Sequence, residues 1–189
     1  MRITGGAWAS RRLAGPPRGA AVRPTPDALR EQAFAVLGGR LDGCRFLDLF
    51  AGTGAVSLEA LSRGAGRAVV VERARAAAEL IRRNFASLGV EPGAWRLIVA
   101  PASAALGRLA EEGARFSVVW CDPPFASWAE GAAALTRARE LGLLTGDAVA
   151  VIETPGGGNA DVEGFEQIRK LRGAVLLRPA GAGGESALY

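Results

Sequence analysis

Two aspartates sit where apolar runs would place them beside a ligand. Asp48 interrupts the apolar run 46–50, and Asp122 comes directly after the apolar run 116–121. A carboxylate inside an apolar strand costs free energy unless it has a partner, so the position of Asp48 indicates a function. Ligands of open α/β sheets bind beyond the carboxyl ends of neighbouring strands. We therefore expect Asp48 and Asp122 to open into one crevice.

A glycine turn separates the first apolar run from the helix after it. Residues 47–54 read Leu-Asp-Leu-Phe-Ala-Gly-Thr-Gly. Gly52 and Gly54 have no Cβ, so the backbone can bend sharply and a ligand can lie directly against it. A dinucleotide fingerprint needs a third glycine where this chain has Ser57, and Asp48 would repel a pyrophosphate. A cationic ligand is favoured, and S-adenosylmethionine, with an amino group and a sulfonium, fits that description.

Glu72 completes the predicted cofactor site. It closes the second apolar run, 68–71, about twenty residues past the glycines, where a carboxylate can accept hydrogen bonds from both ribose hydroxyls. The plain alternative is an ordinary glycine turn followed by a strand that ends at solvent. The joint spacing favours a cofactor. The predicted cofactor-binding residues here are Asp48, Phe50, Ala51, Gly52, Thr53, Gly54 and Glu72.

The second chemical motif is Asp122-Pro123-Pro124-Phe125. Prolines have a fixed φ and no N–H, so the motif offers carbonyl and carboxylate acceptors beside the flat ring of Phe125. This combination suits the exocyclic amine of a nucleobase, and accepting its N–H hydrogens makes that amine more nucleophilic. All four residues are therefore predicted to be catalytic. A Pro-Pro loop with Asp122 as a helix cap is the structural alternative. Cys121 is a rival nucleophile, but strand alternation turns it to the opposite face.

Composition fits one α/β enzyme and argues against several other classes. A chain of 189 residues fits a single domain. Its apolar runs are far shorter than the roughly 18 residues that span a bilayer, and no apolar block follows Met1-Arg2 as in a signal peptide. We expect a cytoplasmic monomer without membrane contact. Two cysteines and no histidine argue against disulfide scaffolds and metal sites, and exclude serine–histidine chemistry.

The positive charge is concentrated at the N-terminus. Residues 1–45 hold eight arginines and three acids, a net charge of +5, whereas the remaining 144 residues carry −1. Glycines and prolines punctuate the start of the chain, so we predict a basic arm or hairpin over residues 1–26 before a catalytic domain over 27–189. Such an arm indicates a polyanionic partner bound through its phosphates. The alternative is compositional bias, since Lys170 is the one lysine in an otherwise all-arginine set.

Strands and helices alternate after the arm. A helix is predicted to begin at Thr25-Pro26-Asp27, with Thr25 as N-cap and Pro26 at the first helical position, and to end at Gly38-Gly39. The central strand 46–50 and a helix that Gly64 ends come next. The following predicted elements are strand 68–72, helix 75–88, strand 96–100, helix 103–112, strand 116–121, helix 128–141 and strand 148–153. This order predicts a doubly wound, mostly parallel sheet with helices on both faces.

The C-terminal part of the chain changes character. Residues 154–164 are rich in glycine and polar residues and are predicted to form a loop. Short β candidates follow at 165–171, 174–178 and 185–189, with little room for helices between them. They predict an antiparallel hairpin at the end of a seven-stranded sheet.

The motifs together resemble those of a known family over nearly the whole chain. They are Met1-Arg2-Ile3-Thr4-Gly5-Gly6, Arg11-Arg12-Leu13, Arg23-Pro24-Thr25, Leu47-Asp48-Leu49-Phe50-Ala51-Gly52-Thr53-Gly54, Glu59-Ala60-Leu61-Ser62-Arg63-Gly64-Ala65, Glu72, Asn84, Asp122-Pro123-Pro124-Phe125 and Glu153. This set is similar to that of class I S-adenosylmethionine-dependent methyltransferases, and specifically of the bacterial 16S rRNA guanine-N2 methyltransferases of the D type.

The resemblance implies a Rossmann-like class I methyltransferase fold and methyl transfer to the N2 amine of one guanine in 16S rRNA, within assembled or assembling small subunits. It also implies that Arg23 and Thr25 border the site and that the N-terminal segment contacts RNA. The family carries an acid after the third strand to hold the adenine amine, and Ser103 is the candidate here. The residues assigned to RNA are Arg2, Arg11, Arg12, Arg23 and Thr25. Two alternatives stay open: an adenine-N6 methyltransferase on DNA or RNA, and a non-catalytic RNA-binding assembly factor with this fold.

Overall fold

A seven-stranded sheet is the centre of the computed structural model, which describes residues 1–16, 25–39 and 41–181, with only the backbone at Phe125 and Gly156. The strands are β1 Arg45–Leu49, β2 Arg67–Glu72, β3 Trp95–Val99, β4 Phe116–Cys121, β5 Leu144–Glu153, β6 Phe165–Lys170 and β7 Ala174–Pro179. The helices are α1 Asp27–Val36, α2 Ala55–Ser62, α3 Arg75–Ser87, α4 Ala102–Glu111 and α5 Trp128–Glu140. The β candidate at 185–189 lies outside the described residues.

The strand order is β3-β2-β1-β4-β5-β7-β6. Strands β1 to β5 pair in parallel, and β7 pairs antiparallel with both β5 and β6. The predicted doubly wound, mostly parallel seven-stranded sheet with an antiparallel C-terminal hairpin is confirmed. The order reverses between β1 and β4, which is where an open α/β sheet binds its ligands.

Two apolar cores cover the two faces of the sheet. On one face Phe46 and Trp120 pack with residues of α1, α2 and α3, and on the other Leu49 and Cys121 pack with residues of α4 and α5. The alternation of side chains along each strand produces this division. In the β1–β4 register Asp48 is opposite Trp120. Asp122 follows Trp120 by two positions, so both aspartates belong to the α1–α3 side.

The start of α1 differs from the prediction. The helix begins at Asp27, its N-cap is Pro26, and no side chain caps it. The predicted cap, Thr25, directs its hydroxyl away from the helix to Glu153, at 2.7 Å. A tertiary hydrogen bond in a buried position has therefore replaced the local cap. Strand β5 also begins earlier than predicted, at Leu144, because its first residues extend past the buried part of the strand.

The N-terminal segment forms a hairpin on the α1–α2 side of the domain. Its two arms join at the Arg2–Arg12 bridge, and Ile3 N–H donates to the Arg11 carbonyl at 3.0 Å. Ile3 is fully buried in the core with α1 and α2. Gly6 has a φ of +78°, and a Cβ there would lie 1.9 Å from the Ser62 carbonyl oxygen. The described part of the predicted arm is thus packed against the domain.

Candidate active site

A cavity of about 720 Å³ opens at the carboxyl ends of the parallel strands. Its walls are the turn after β1, the loop after β4, the ends of β2 and β5, and the segment before α1. The predicted site residues that line it are Thr25, Phe50, Ala51, Gly52, Thr53, Glu72, Asp122, Pro123 and Pro124. The volume is within the range of small-molecule sites, about 300–1,000 Å³. One crevice therefore brings together residues from the first half and the middle of the chain.

The turn after β1 bends through left-handed backbone. Phe50 has a φ of +67° and Gly52 a φ of +56°. Positive φ is unfavourable for a bulky residue such as phenylalanine and recurs at functional sites. Gly54 serves a different purpose from the one predicted, because it is not among the cavity-lining residues and a Cβ there would lie 3.0 Å from the Phe85 ring of α3. It allows close helix packing, while Gly52 faces the cavity.

Glu72 is held rigidly at the end of β2. One carboxylate oxygen accepts from the Gly52 N–H at 2.8 Å, and the other accepts from the Ala74 N–H at 2.7 Å. Each oxygen of a carboxylate can accept a second hydrogen bond. The two backbone donors therefore fix the side chain and leave acceptor capacity for a vicinal diol, as the sequence analysis predicts for a ribose.

Asp48 lies beneath the turn and does not line the cavity. The residue is 1% exposed, and Ser57 Oγ donates to its carboxylate at 2.6 Å. Burial, together with the charges of Asp122 and Glu72, raises the pKa of Asp48 to about 7, although the hydrogen bond from Ser57 lowers this pKa. The structure thus departs from the expectation that both aspartates open into the crevice. Only Asp122 does, because the turn 50–53 covers the end of β1.

A cluster of three side chains surrounds Asp122. Thr25 Oγ1 lies 2.7 Å from Glu153 Oε1 and 3.2 Å from Asp122 Oδ2. The indole N–H of Trp120 donates to the same Glu153 oxygen at 3.3 Å, and the Thr25 hydroxyl is within hydrogen-bonding distance of both carboxyl groups. The cluster joins the segment before α1 to the ends of β4 and β5.

Glu153 lines the cavity, although it is not among the predicted site residues. The signal that could have found it is the one that found Glu72, an acid at the end of an apolar strand. Burial and the Asp122 charge raise the pKa of Glu153 to about 8, although the Thr25 and Trp120 hydrogen bonds act in the opposite direction.

The loop after β4 is held by α5. Gly131 packs against the Pro123 ring so closely that a Cβ there would lie 2.4 Å from Pro123 Cγ. The Pro124 carbonyl accepts from the Ser127 N–H at 2.7 Å, which forms a short 3₁₀ turn. Among the residues that the structure describes, none donates to the Pro123 carbonyl. That oxygen and the Asp122 carboxylate are the acceptors that the motif predicts for an amine.

Of three other predicted site residues, one lies outside the cavity, one is described only by its backbone, and one is outside the described residues. Ser103 is exposed on α4, and Ala100 and Ala102 line the cavity in its place, because the helix turns Ala102 inward. Only the backbone of Phe125 is described, so its stacking role stays a prediction. Arg23 lies outside the described residues.

Of the arginines predicted to bind RNA, Arg2, Arg11 and Arg12 lie on the hairpin, whose Met1 contacts the cavity-lining Thr53. Arg2 and Arg12 are exposed, and Arg11 donates weakly to the Ser87 carbonyl at 3.5 Å. Buried Arg30 ties this hairpin to the site, because its guanidinium donates to the carbonyls of both Arg2 and Thr25. The hairpin is therefore anchored next to the segment before α1, which forms one wall of the cavity.

Cys121 lies on the opposite face, as strand alternation predicts. It is fully buried among α4 and α5 residues, and burial raises its thiol pKa well above the ordinary value. Such a thiol is a poor nucleophile. Within residues 1–16, 25–39 and 41–181 there is no metal-binding cluster of acids and cysteines. No helix in the same ranges is long and apolar enough to cross a bilayer.

The chain matches a protein family over most of its length. The family described as "Conserved hypothetical protein 95" matches residues 1–177. The chain belongs to this family. It is 39% identical over 125 residues to "Ribosomal RNA small subunit methyltransferase D" of Escherichia coli K12, and that match covers 66% of this chain and 60% of the relative. The chain thus spans less than two thirds of that relative's length.

Two further relatives cover more of the chain. "Putative rRNA methyltransferase YlbH" of Bacillus subtilis is 33% identical over 153 residues, which is 81% of this chain and 82% of the relative. The solved structure of the "putative methyltransferase yhhF" of Escherichia coli superposes with a TM-score of 0.76 at 30% identity, covering 95% of this chain and 97% of that one. These matches confirm the resemblance to the D-type methyltransferases and the class I fold. The predicted cofactor, S-adenosylmethionine, agrees with both the family resemblance and the class I fold.

Proposed function

We propose that this protein is an S-adenosylmethionine-dependent methyltransferase that modifies the exocyclic N2 amine of a guanine in 16S rRNA. The observation that carries the proposal is the pairing of two walls in one cavity. One wall presents the Glu72 carboxylate, and the other presents the Asp122 carboxylate and the Pro123 carbonyl. The first suits the ribose of the cofactor and the second suits an amine. The names of the E. coli and B. subtilis relatives support rRNA as the substrate.

The residues of the cavity fit S-adenosylmethionine. Glu72 would hold the ribose hydroxyls, and Val71, Ala100 and Ala102 offer an apolar surface for the adenine. The buried carboxyl group of Asp48 beneath the turn would attract the cationic half of the molecule, whose charge would in turn lower the raised pKa of Asp48. A phosphate-bearing cofactor would meet the carboxylates of Glu72 and Asp122 here and be repelled.

Methyl transfer requires little from the protein beyond the positioning of the reactants and electrostatic stabilisation. Bound S-adenosylmethionine supplies a methyl group on a sulfonium, which is electrophilic without further activation. Asp122 and the Pro123 carbonyl each accept one N–H of the guanine amine, which orients the nitrogen lone pair. S-adenosylmethionine, when bound, would supply its methyl group to this nitrogen, with the electron pair of the carbon–sulfur bond returning to sulfur. Asp122 would then accept the proton that the nitrogen loses.

The hairpin supplies the surface for the rRNA. Arg2, Arg11 and Arg12 on the hairpin, together with Arg23, would contact phosphates, and Thr25 lies where the extruded base would enter. Such contacts position the RNA without reading its sequence. The substrate would be the small ribosomal subunit or an assembly intermediate in the cytoplasm, and we propose that the protein acts on it as a monomer.

The test is a methylation assay read out by product. Radiolabelled S-adenosylmethionine is incubated with small subunits from a strain that lacks this activity, and the digested RNA is analysed by nucleoside mass spectrometry. N2-methylguanosine is expected. N6-methyladenosine would establish the adenine alternative, and no methylated nucleoside on naked or assembled rRNA would contradict the proposal.

The matched variants are Asp122→Ala and Glu163→Gln. D122A removes a group that touches the amine, so kcat is expected to fall by roughly 10²–10⁴-fold, while calorimetric binding of S-adenosylmethionine is retained. Glu163 is exposed and outside the cavity, so E163Q should behave as wild type. If D122A retained full methylation, Asp122 would not be the catalytic acceptor. If a strain carrying D122A showed no phenotype, the assembly-factor alternative would gain support.

A further inference from the structure

Two carboxyl groups meet at the floor of the cavity. Asp122 ends up beside Glu153 because β4 and β5 are parallel neighbours and both acids follow the paired residues of those strands. The Thr25 hydroxyl lies within hydrogen-bonding distance of both groups, 2.7 Å from Glu153 Oε1 and 3.2 Å from Asp122 Oδ2. Two ionised carboxylates held this close repel each other, so the arrangement favours one proton on the pair.

The surroundings show which group holds that proton. Glu153 Oε1 accepts from the Thr25 hydroxyl at 2.7 Å and from the Trp120 indole at 3.3 Å. Both donors occupy the same oxygen, so the other oxygen of Glu153 is left to carry a hydrogen toward Asp122. Asp122 lines the cavity and is more accessible than Glu153, which is buried. The desolvated acid is the one that remains neutral.

The pair cannot easily separate. The backbone carbonyl of Glu153 accepts from the Trp128 indole at 3.0 Å, which ties the end of β5 to α5. The carbonyl of Thr25 accepts from buried Arg30 at 2.6 Å, which holds the threonine against the acids. The cluster is therefore built into three elements of the fold.

We propose that Glu153 is a positioning residue for methyl transfer: in its protonated form it donates a hydrogen bond to Asp122, which leaves the other Asp122 oxygen as the acceptor that faces the amine. The inference rests on the proposed function of this cavity. It assigns the neutral form of Glu153 to the active enzyme and predicts that loss of its proton, rather than gain, impairs the reaction. When the methylated amine releases its proton, Asp122 accepts it and later returns it to solvent, and Glu153 keeps its own.

Among the residues that the structure describes, the other titratable groups around the pair come from several elements. Asp48 lies below it from β1, Cys121 points away on β4, and Arg172 reaches the cavity from the β6–β7 connection. Glu72 and Arg73 line the far wall at the end of β2. Against this background, burial and the Asp122 charge raise the pKa of Glu153 to about 8. The proton is therefore present at neutral pH and is lost as the pH rises through about 8.

The experiment compares pH profiles of kcat/KM for S-adenosylmethionine in wild type, E153Q and T25V, with E163Q as the control. Wild type and E163Q are expected to lose at least tenfold between pH 7 and pH 9.5. E153Q keeps the shape and the donor of protonated glutamic acid but cannot ionise, so it is expected to be several-fold less active at pH 7 and to lack the alkaline fall. T25V removes a donor that favours the ionised form, so its fall should move to higher pH. Any effect of the titration of the RNA or of S-adenosylmethionine on the rate is the same for all four proteins and does not change their comparison.

The outcomes separate this inference from the proposed function. If wild type forms no N2-methylguanosine, the proposed function fails whatever Glu153 does. If wild type is active and E153Q retains the same alkaline fall, the inference is overturned. It is equally overturned if E153Q and Glu153→Ala lose activity by the same factor at pH 7, since the donor would then not matter. Thermal unfolding of each variant shows whether a loss comes from misfolding, and T25V tests the inference independently if E153Q is unstable.

Discussion

At the scale of single residues, buried Asp48 lowers the stability of the protein near neutral pH but would favour the binding of a cationic ligand. It is fully buried, and its pKa is raised from 3.8 to about 7, chiefly by burial. A group with a raised folded-state pKa contributes stability that is present below its unfolded pKa and is lost as the pH rises through the folded value. Free energy of unfolding should thus decline between about pH 4 and pH 7 on account of Asp48. The protein tolerates this cost at a position that would attract a cation.

We expect Asp48→Asn to stabilise the ligand-free protein at pH 8 by roughly 2–4 kcal/mol and to have much less effect at pH 4. Asparagine keeps the shape and can still accept from Ser57, but it carries no charge to bury. The same change should weaken S-adenosylmethionine binding by about 1 kcal/mol, roughly fivefold. Urea unfolding at both pH values and calorimetry measure the two effects. The exposed Asp161, replaced in D161N, is the control, and equal shifts in D48N and D161N would contradict the burial argument.

At the scale of elements, α5 and the loop after β4 are fitted to each other. Gly131 is a glycine inside a helix, which normally costs stability, yet here the Pro123 ring occupies the space that a side chain would fill. Gly107 in α4 has no such neighbour, since nothing lies within 4 Å of a Cβ built there. The two glycines therefore allow a matched comparison of helix propensity with packing against the catalytic loop.

We expect Gly131→Ala to destabilise the protein by about 1–3 kcal/mol because the helix or the loop must move apart. The displaced acceptors should lower kcat by up to about 10²-fold. Gly107→Ala should instead stabilise it by roughly 0.5–1 kcal/mol with unchanged activity. Denaturant unfolding and steady-state rates test the pair. Should G131A prove as benign as G107A, the packing of Gly131 on Pro123 does not position the loop.

At the scale of the whole molecule, charge is distributed unevenly. The first 45 residues carry +5 and the rest carry −1. The structure places the hairpin arginines beside the rim of the cavity, where Thr53 donates to Met1 Sδ and Asn84 joins the Ala14 carbonyl to the Thr53 carbonyl. Arg2, Arg11 and Arg12, which contribute to this excess charge, therefore lie near the site, which suits an RNA that delivers one base to the cavity.

We expect the double variant Arg11→Ala, Arg12→Ala to weaken rRNA binding and to reduce the slope of log K against log salt by about 1 for each phosphate that is no longer neutralised. Affinity for S-adenosylmethionine and the rate at saturating RNA should be unchanged. Arg137, near the end of α5 that points away from the cavity, is the control. A salt slope that falls as much in R137A as in the double variant would place the RNA elsewhere.

Local sequence patterns were enough to predict much of the fold and half of the candidate site. Apolar periodicity, glycine turns and the alternation of strands and helices predicted the sheet, the neighbouring of β1 and β4, and the C-terminal hairpin. Glu72 and Asp122 were found because each ends an apolar strand, and in a parallel sheet such ends meet at one edge. These features depend on residues a few positions apart, which the sequence displays directly.

Contacts between residues that are distant in the sequence decided the remaining features of the fold and of the site. Thr25 and Glu153 are 128 residues apart, so their hydrogen bond, and with it the absence of the predicted helix cap, could not be read from local spacing. The burial of Asp48 depends on how the turn 50–53 folds over β1, and the outward face of Ser103 depends on the phase of α4. The sequence by itself determined which acids end which strands. Only the tertiary structure decided which of them face the cavity, because burial below the surface and the approach of Asp122 to Glu153 arise when separate elements pack together.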